Sequence, residues 1–227
     1  HWYSDKPVDY FSAYHTCYRW LPNKDGCGYI ISMDAIVRRT IVLVKHAGYA
    51  LVMDSVQDSD NDAFNRATTS HWHSPFGFEV IDKQRVRTGL AAEGQGCVLA
   101  FARAEGLKDF LIEPDYAGDD AAKHELYPER WHLRARRWFR DGGGQCIGFT
   151  VLLQPFQGRV PDVIVTPLEL KCAIPFRAVV FEVKTPSGTY LLLLNPERLK
   201  GVQYGRTAVK ARARLRVGGR SSWINIA

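Results

Sequence analysis

Along this chain, apolar residues fall either at every second position or in short unbroken runs, with Gly, Pro, Asp and Asn between them at short intervals. Alternation with period two and strand-length apolar runs are the marks of a many-stranded antiparallel fold. The pattern predicts strands over 35–46 (AIVRRTIVLVKH), 48–56, 63–73, 97–103, 109–113, 129–139, 145–156, 176–185 and 188–195. His46-Ala47-Gly48 and Pro186-Ser187-Gly188 supply tight turns between neighbours, and successive strands are expected to pair. Only 119–126, DDAAKHEL, reads as helical, while 57–62, 115–120 and the Gly-rich 141–145 read as surface connections. No internal repeat or low-complexity linker divides the chain. The expectation is an all-β fold with little helix: one large antiparallel β-sandwich domain over 1–227, in which two or more stacked sheets bury each other's apolar faces.

The clearest alternation is VKARARLRV at 209–217, with Val209, Ala211, Ala213, Leu215 and Val217 on one side and Lys210, Arg212, Arg214 and Arg216 on the other. Such a comb of cations fits a strand with a solvated outer face that resists aggregation, and it equally fits an anion-binding strand. The formal charge of +6 favours an anionic partner wherever the excess is clustered, without separating nucleic acid from acidic polysaccharide or phospholipid. No apolar run reaches the length of a membrane span. Five cysteines without a CxxC pair argue against a zinc knuckle; Cys17 and Cys27 lie close enough in sequence to bridge a hairpin or to stay reduced.

Two stretches invite chemistry. In SHWHSPFGFEV, His71 and His73 would leave the same face of a strand on either side of Trp72, a pairing that suits a metal, a sugar or a sheet edge. A metal would need further ligands, for which Asp54 on the preceding strand is available. The N-terminal DYFSAYHTCYRW holds His15, Tyr18, Arg19 and Trp20 within six residues. Aromatic rings stack on sugar faces and arginine binds carboxylate or sulfate, so the mixture suits an acidic glycan, although its rings would also fill a core. An N-terminal His1 raises copper chelation, but nothing else in the chain resembles the copper monooxygenases. There is no P-loop, GxGxxG, GxSxG or HExxH, and no nucleic-acid module surrounds the basic strand.

Taken in order, several motifs resemble the C-terminal β-sandwich region of the heparinase II/III-like polysaccharide lyases. These are Ser4-Asp5 with Asp9-Tyr10, His15 with Tyr18-Arg19, Arg38-Arg39 followed by IVLVK, Tyr49 with Leu51, Val52 and Asp54, and then SHWHSPF. RWHLRARRW and GFTVLLQPF resemble the strand pair toward that region's end. The family's usual His before the two arginines is Val37 here, and Cys17 stands where Gly is common. The resemblance implies β-elimination at a uronic acid of an acidic polysaccharide such as a glycosaminoglycan or alginate, in a secreted or periplasmic protein.

In that family the catalytic Tyr, His and Asn come largely from an α/α toroid preceding the sandwich. The family's metal ligands lie in a Gly-His-x-His-x-Asp block and a His-Asn element. None of these motifs occurs here. The resemblance thus implies a C-terminal portion without catalytic residues, metal or cofactor of its own, with zinc or another divalent metal belonging to the full-length family, and an upstream toroid as partner. His15, Tyr18, Arg19, Arg38, Arg39, Trp72 and His73 are then the candidates to bind substrate, and His71 and His73 are expected not to hold zinc. The competing expectation is a non-catalytic carbohydrate-binding sandwich that uses its basic strand.

Overall fold

Unbroken apolar runs such as LLLL at 191–194 occur where a strand has both faces covered. The computed structural model describes residues 2–4, 8–22, 29–58, 67–102, 110–115, 130–138, 146–173, 177–218 and 223–226. Their strands are β1 (Trp2–Ser4), β2 (Val8–Pro22), β3 (Tyr29–Val44), β4 (Tyr49–Asp58), β5 (Ala67–Ser74), β6 (Phe78–Val80), β7 (Arg85–Thr88), β8 (Gln95–Phe101) and β9 (Leu111–Asp115). They continue with β10 (Arg130–Trp138), β11 (Cys146–Gln157), β12 (Ile164–Leu168), β13 (Val179–Thr185), β14 (Gly188–Leu194), β15 (Gln203–Tyr204), β16 (Thr207–Ala208), β17 (Ala213–Val217) and β18 (Ile224–Ile226). Among the described residues, only two short 3-10 turns are helical.

An eight-stranded sheet, ordered β1-β2-β3-β4-β11-β8-β7-β6, forms the middle layer. On one side lies the five-stranded sheet β12-β13-β14-β17-β18, on the other the three-stranded sheet β5-β10-β9. Leu51, Met53, Val98 and Leu152 of the middle sheet pack with Phe181, Leu192, Leu194 and Leu215 of the five-stranded sheet. The alternate residues of the same strands, Leu99, Phe101, Phe149 and Val151, pack with Leu133 and Ala135 of the three-stranded sheet. A third cluster covers the far face of the five-stranded sheet, where Val180, Leu191 and Leu193 meet Val202 and Val209. The all-β sandwich is therefore layered more deeply than a two-sheet stack, which is why β8, β11 and β14 are apolar at consecutive positions.

Every predicted strand has a counterpart, with ends moved by a few residues; β3 starts at Tyr29, well before the pattern does. Both predicted turns are present. Gly48, at φ 67, ends the 3-10 turn Lys45–Ala47 and donates its N–H to Val44 O at 2.9 Å, while Pro186 and Ser187 link the paired Thr185 and Gly188. The expectation that successive strands pair holds from β1 to β4, from β6 to β8, for β9 with β10 and from β12 to β14, and fails after β4, which pairs with β11 while β5 opens a different sheet. The chain changes layer after β4 because one sheet cannot cover both of its own faces. The predicted helix at 119–126, the Gly-rich 141–145 and most of the two acidic connections lie outside the described residues.

The basic comb also needs correction. Regular strand begins at Ala213, so Val209 joins the outer cluster while Ala213 and Leu215 enter the opposite core. Arg214 and Arg216 do not simply face water: their guanidiniums lie over the Trp223 ring, 5.0 and 5.1 Å from its centroid. Arg212 donates to the carbonyl of Pro196. Among the described residues no helix is long and apolar enough to cross a membrane.

Candidate functional site

On the face of β2 and β3 that meets the five-stranded sheet, side-chain character changes step by step from the core to the rim. Tyr10 stands opposite Val42, both fully buried; then come Ser12 and Thr40, whose hydroxyls lie 3.1 Å apart, and then Tyr14 and Arg38. The apolar pair anchors the interface, the hydroxyl pair satisfies itself, and the last pair opens to solvent. There Arg38 sits 5.3 Å from the centroid of the exposed Tyr14 ring. A groove of about 510 Å³ opens here, lined by Phe11, Ser12, Ala13, Tyr14, Arg38, Glu197 and Arg212. Its size falls within the range of small-ligand sites.

Glu197, just after β14, is the counter-ion of this groove. Its carboxylate accepts from Arg177 Nε at 2.9 Å and lies 3.4 Å from Arg38 Nε. Burial works against its charge, but the hydrogen bond from Arg177 and the charges of Arg38 and Arg177 outweigh it and hold the carboxyl below the usual range. Its contribution to stability is thus present above the ordinary glutamate range and is lost as pH falls through the lowered folded value. An exposed ring beside arginines that share one carboxylate can take a sugar against the ring and an anionic substituent against the guanidinium.

Arg39 leaves β3 on the opposite face, as neighbours on a strand must. Its Nε and Nη2 donate to Asp54 Oδ1 and Oδ2 at 2.7 and 2.8 Å in a two-pronged pair across β3 and β4. The Asp54 side chain is 9% exposed, the Arg39 side chain 51%. The two motif residues therefore bind each other, which assigns Arg39 to holding the sheet. Asp54 is likewise unavailable to His71 and His73, which lie in another sheet.

Those two histidines do share an exposed face, on edge strand β5. They are joined there by a residue that the sequence reading quoted without singling out. His132 of β10 lies between them, its ring centroid 4.7 Å from that of His71 and 4.6 Å from that of His73, with interplanar angles of 21° and 5°. His71 Nδ1 and His132 Nε2 meet at 2.6 Å and so are taken up by each other, and among the described residues no group of three or more His, Cys, Asp or Glu converges to hold a metal ion. Trp72 points the other way. It packs against the core under the three-stranded sheet and donates its indole N–H to Ser70 Oγ at 3.0 Å, so its ring is committed inside rather than offered to a glycan.

His15, Tyr18 and Arg19 lie on β2 beyond Tyr14, with a register shift between Cys17 and Tyr18; their side chains lie outside the described residues, as does the whole of Cys27. Sequence reasoning missed Tyr14 and Glu197 in the groove, and Arg177, which pairs with Glu197. Arg212 was visible only as part of the basic comb. Of possible nucleophiles, the Cys97 thiol is pushed up to about 11 by burial.

No protein-family model matches the chain, and neither does any curated protein. Solved structures do. A heparan sulfate lyase, HepC from Pedobacter heparinus, aligns with a TM-score of 0.56 at 14% identity over 86% of this chain and 27% of that one. A heparinase III with methylated lysines aligns with a TM-score of 0.57 at 13% identity over 84% and 26%. A further heparinase III structure gives 0.53 at 9% identity over 83% and 26%. The chain thus has the β-sandwich fold found in heparinase structures, as the order of its motifs resembled, and spans about a quarter of their length.

Proposed function

We propose that this chain is the β-sandwich portion of a lyase that cleaves uronic-acid-containing polysaccharide by β-elimination, with the principal catalytic residues upstream in a longer polypeptide. What carries this reading is the groove at the rim of a heparinase-like sandwich, where Arg38 and Tyr14 pair the chemistry of an anionic sugar with a ring to stack it on. β-Elimination needs the uronate carboxylate neutralised, a base for the C5 proton and an acid for the departing O4. Arg38 and Arg212 serve the first requirement by holding carboxylate or sulfate; Arg177 keeps Glu197 from binding Arg38 alone. The base and acid belong to the upstream toroid, and the longer protein is secreted or periplasmic.

Incubating the chain with heparin, alginate and hyaluronan while following absorbance of the unsaturated product is expected to show binding without turnover. Binding should fall steeply with salt, and Arg38→Ala should weaken it by about tenfold, the loss of one charge-assisted contact. Turnover by this chain alone would place the catalytic groups within it and overturn the proposal. A reading frame upstream of His1 without a helical toroid would instead favour the non-catalytic carbohydrate-binding module.

A further inference from the structure

The outward face of the three-stranded sheet carries a second set of cationic groups, remote from the Arg38 groove in the layering. Along β10 the outward positions are His132, Arg134 and Arg136, and along β5 they are His71 and His73; register sets His73 beside His132 and His71 beside Arg134. From β9 the exposed Leu111 stands in register with Arg134, and Glu113 accepts from Arg134 Nη2 at 2.6 Å and lies 3.7 Å from His132 Nδ1. At the end of the sheet Arg130 stands in register with Asp115. Among the described residues Glu113 thus serves Arg134 and His132 together, and the Arg136 side chain is exposed on the same face.

The three-ring stack limits how many protons the face can hold. His71 Nδ1 and His132 Nε2 lie 2.6 Å apart, a hydrogen bond that needs one bare nitrogen and one N–H. Charging both rings fully removes that bond and sets two cationic N–H groups against each other. Burial first, then the neighbouring His132, Arg134 and His73, hold the His71 pKa below the ordinary imidazole value, with Glu113 opposing them. Near neutral pH the face consequently carries fewer positive charges than its imidazoles could supply. A bound polyanion would relieve the repulsion and let the imidazoles protonate, so ligand and protons must bind together.

We propose that this face is a proton-linked binding strip for a sulfated or carboxylated polysaccharide. It takes its ligand class from the function proposed above but none of its groove residues. Charge complementarity argues for a polyanion, and the direction of Trp72 argues against single-stranded nucleic acid, whose bases need outward aromatic platforms.

The test is calorimetric titration of the chain with a heparin oligosaccharide at about pH 5.5 and about pH 7.5, either side of the ordinary imidazole pKa. The expected result is affinity about tenfold higher at the lower pH, with net proton uptake, as about half a proton bound per ligand, averaged over those two pH units, would give. In the double variant His71→Asn/His73→Asn the ratio should collapse to below about twofold, most of that proton linkage being gone. Both side chains are exposed, so the variant is expected to keep the wild-type unfolding midpoint. Should it unfold, proton NMR of the three imidazoles in the wild type, with and without heparin, reads the same linkage as a raised titration midpoint. Arg38→Ala tests the groove separately, lowering affinity at both pH values by a common factor. A pH ratio that survives in the double variant overturns the strip, whatever Arg38→Ala does; so does a single-stranded DNA of equal charge that binds as tightly with the same ratio, or an unmoved imidazole titration.

Discussion

Leu192→Ala and Leu193→Ala are each expected to lower the unfolding free energy by about 2–5 kcal/mol, the range for deleting a fully buried leucine side chain from a packed core. The prediction concerns the pair. Adjacent residues of a strand point to opposite faces, so in a sandwich of two sheets one of them meets the core and the other meets water. Here Leu192 enters the interface with the middle sheet, and Leu193 the outer cluster with Val202 and Val209, and neither is more than 1% exposed. Urea unfolding of the two variants, with unchanged dependence on denaturant, reads both costs on one scale. A loss below about 0.5 kcal/mol for Leu193→Ala, the value of an ordinary surface position, would mean that the segment around 199–209 does not cover the five-stranded sheet.

That covering is also where sequence reading reached its limit. The apolar runs in β8, β11 and β14 identified strands correctly, because a run of four to eight apolar residues between turn residues has few other uses. They also carried the sign of double-sided burial, but which layer covers which face depends on contacts far apart in the chain. The pairing of β4 with β11 joins residues 49–58 to 146–157, and nothing local to either strand marks the other as its partner. Tight turns, by contrast, were legible because Gly48 and Gly188 meet local backbone demands.

The sites divide the same way. The His71 and His73 pairing on one face followed from the period of a strand, whereas His132 comes to lie between them only through the register of β5 with β10. The alternation in RWHLRARRW already put His132, Arg134 and Arg136 on one side; what it lacked was the neighbour. Arg38 and Arg39 show the converse: alternation placed them on opposite faces, and the structure then gave them opposite duties, one at the rim groove and one in a cross-strand ion pair. The basic comb was over-read before Ala213, because an alternating pattern continues into a loop as readily as into a strand.

The ion pair leads to the second large effect. Arg39→Ala is expected to destabilise the protein by about 2–4 kcal/mol, because it leaves a nearly buried Asp54 carboxylate with both of its charge-assisted hydrogen bonds removed. Asp54→Ala should cost less. Arg39 is half-exposed and water can solvate its guanidinium when the carboxylate is gone, whereas Asp54 has little access to water. Arg39→Ala/Asp54→Ala should then be more stable than the sum of the single losses predicts, with a coupling of about 1–3 kcal/mol, since residues in direct contact do not add. Arg39→Lys would recover little, because a point charge cannot make the two parallel bonds that the guanidinium fork makes. Urea unfolding of the four chains closes the cycle. Additive losses would show that the pair contributes nothing beyond its two side chains taken singly, and would reopen Arg39 as a residue that the β-sandwich can spare for a glycan.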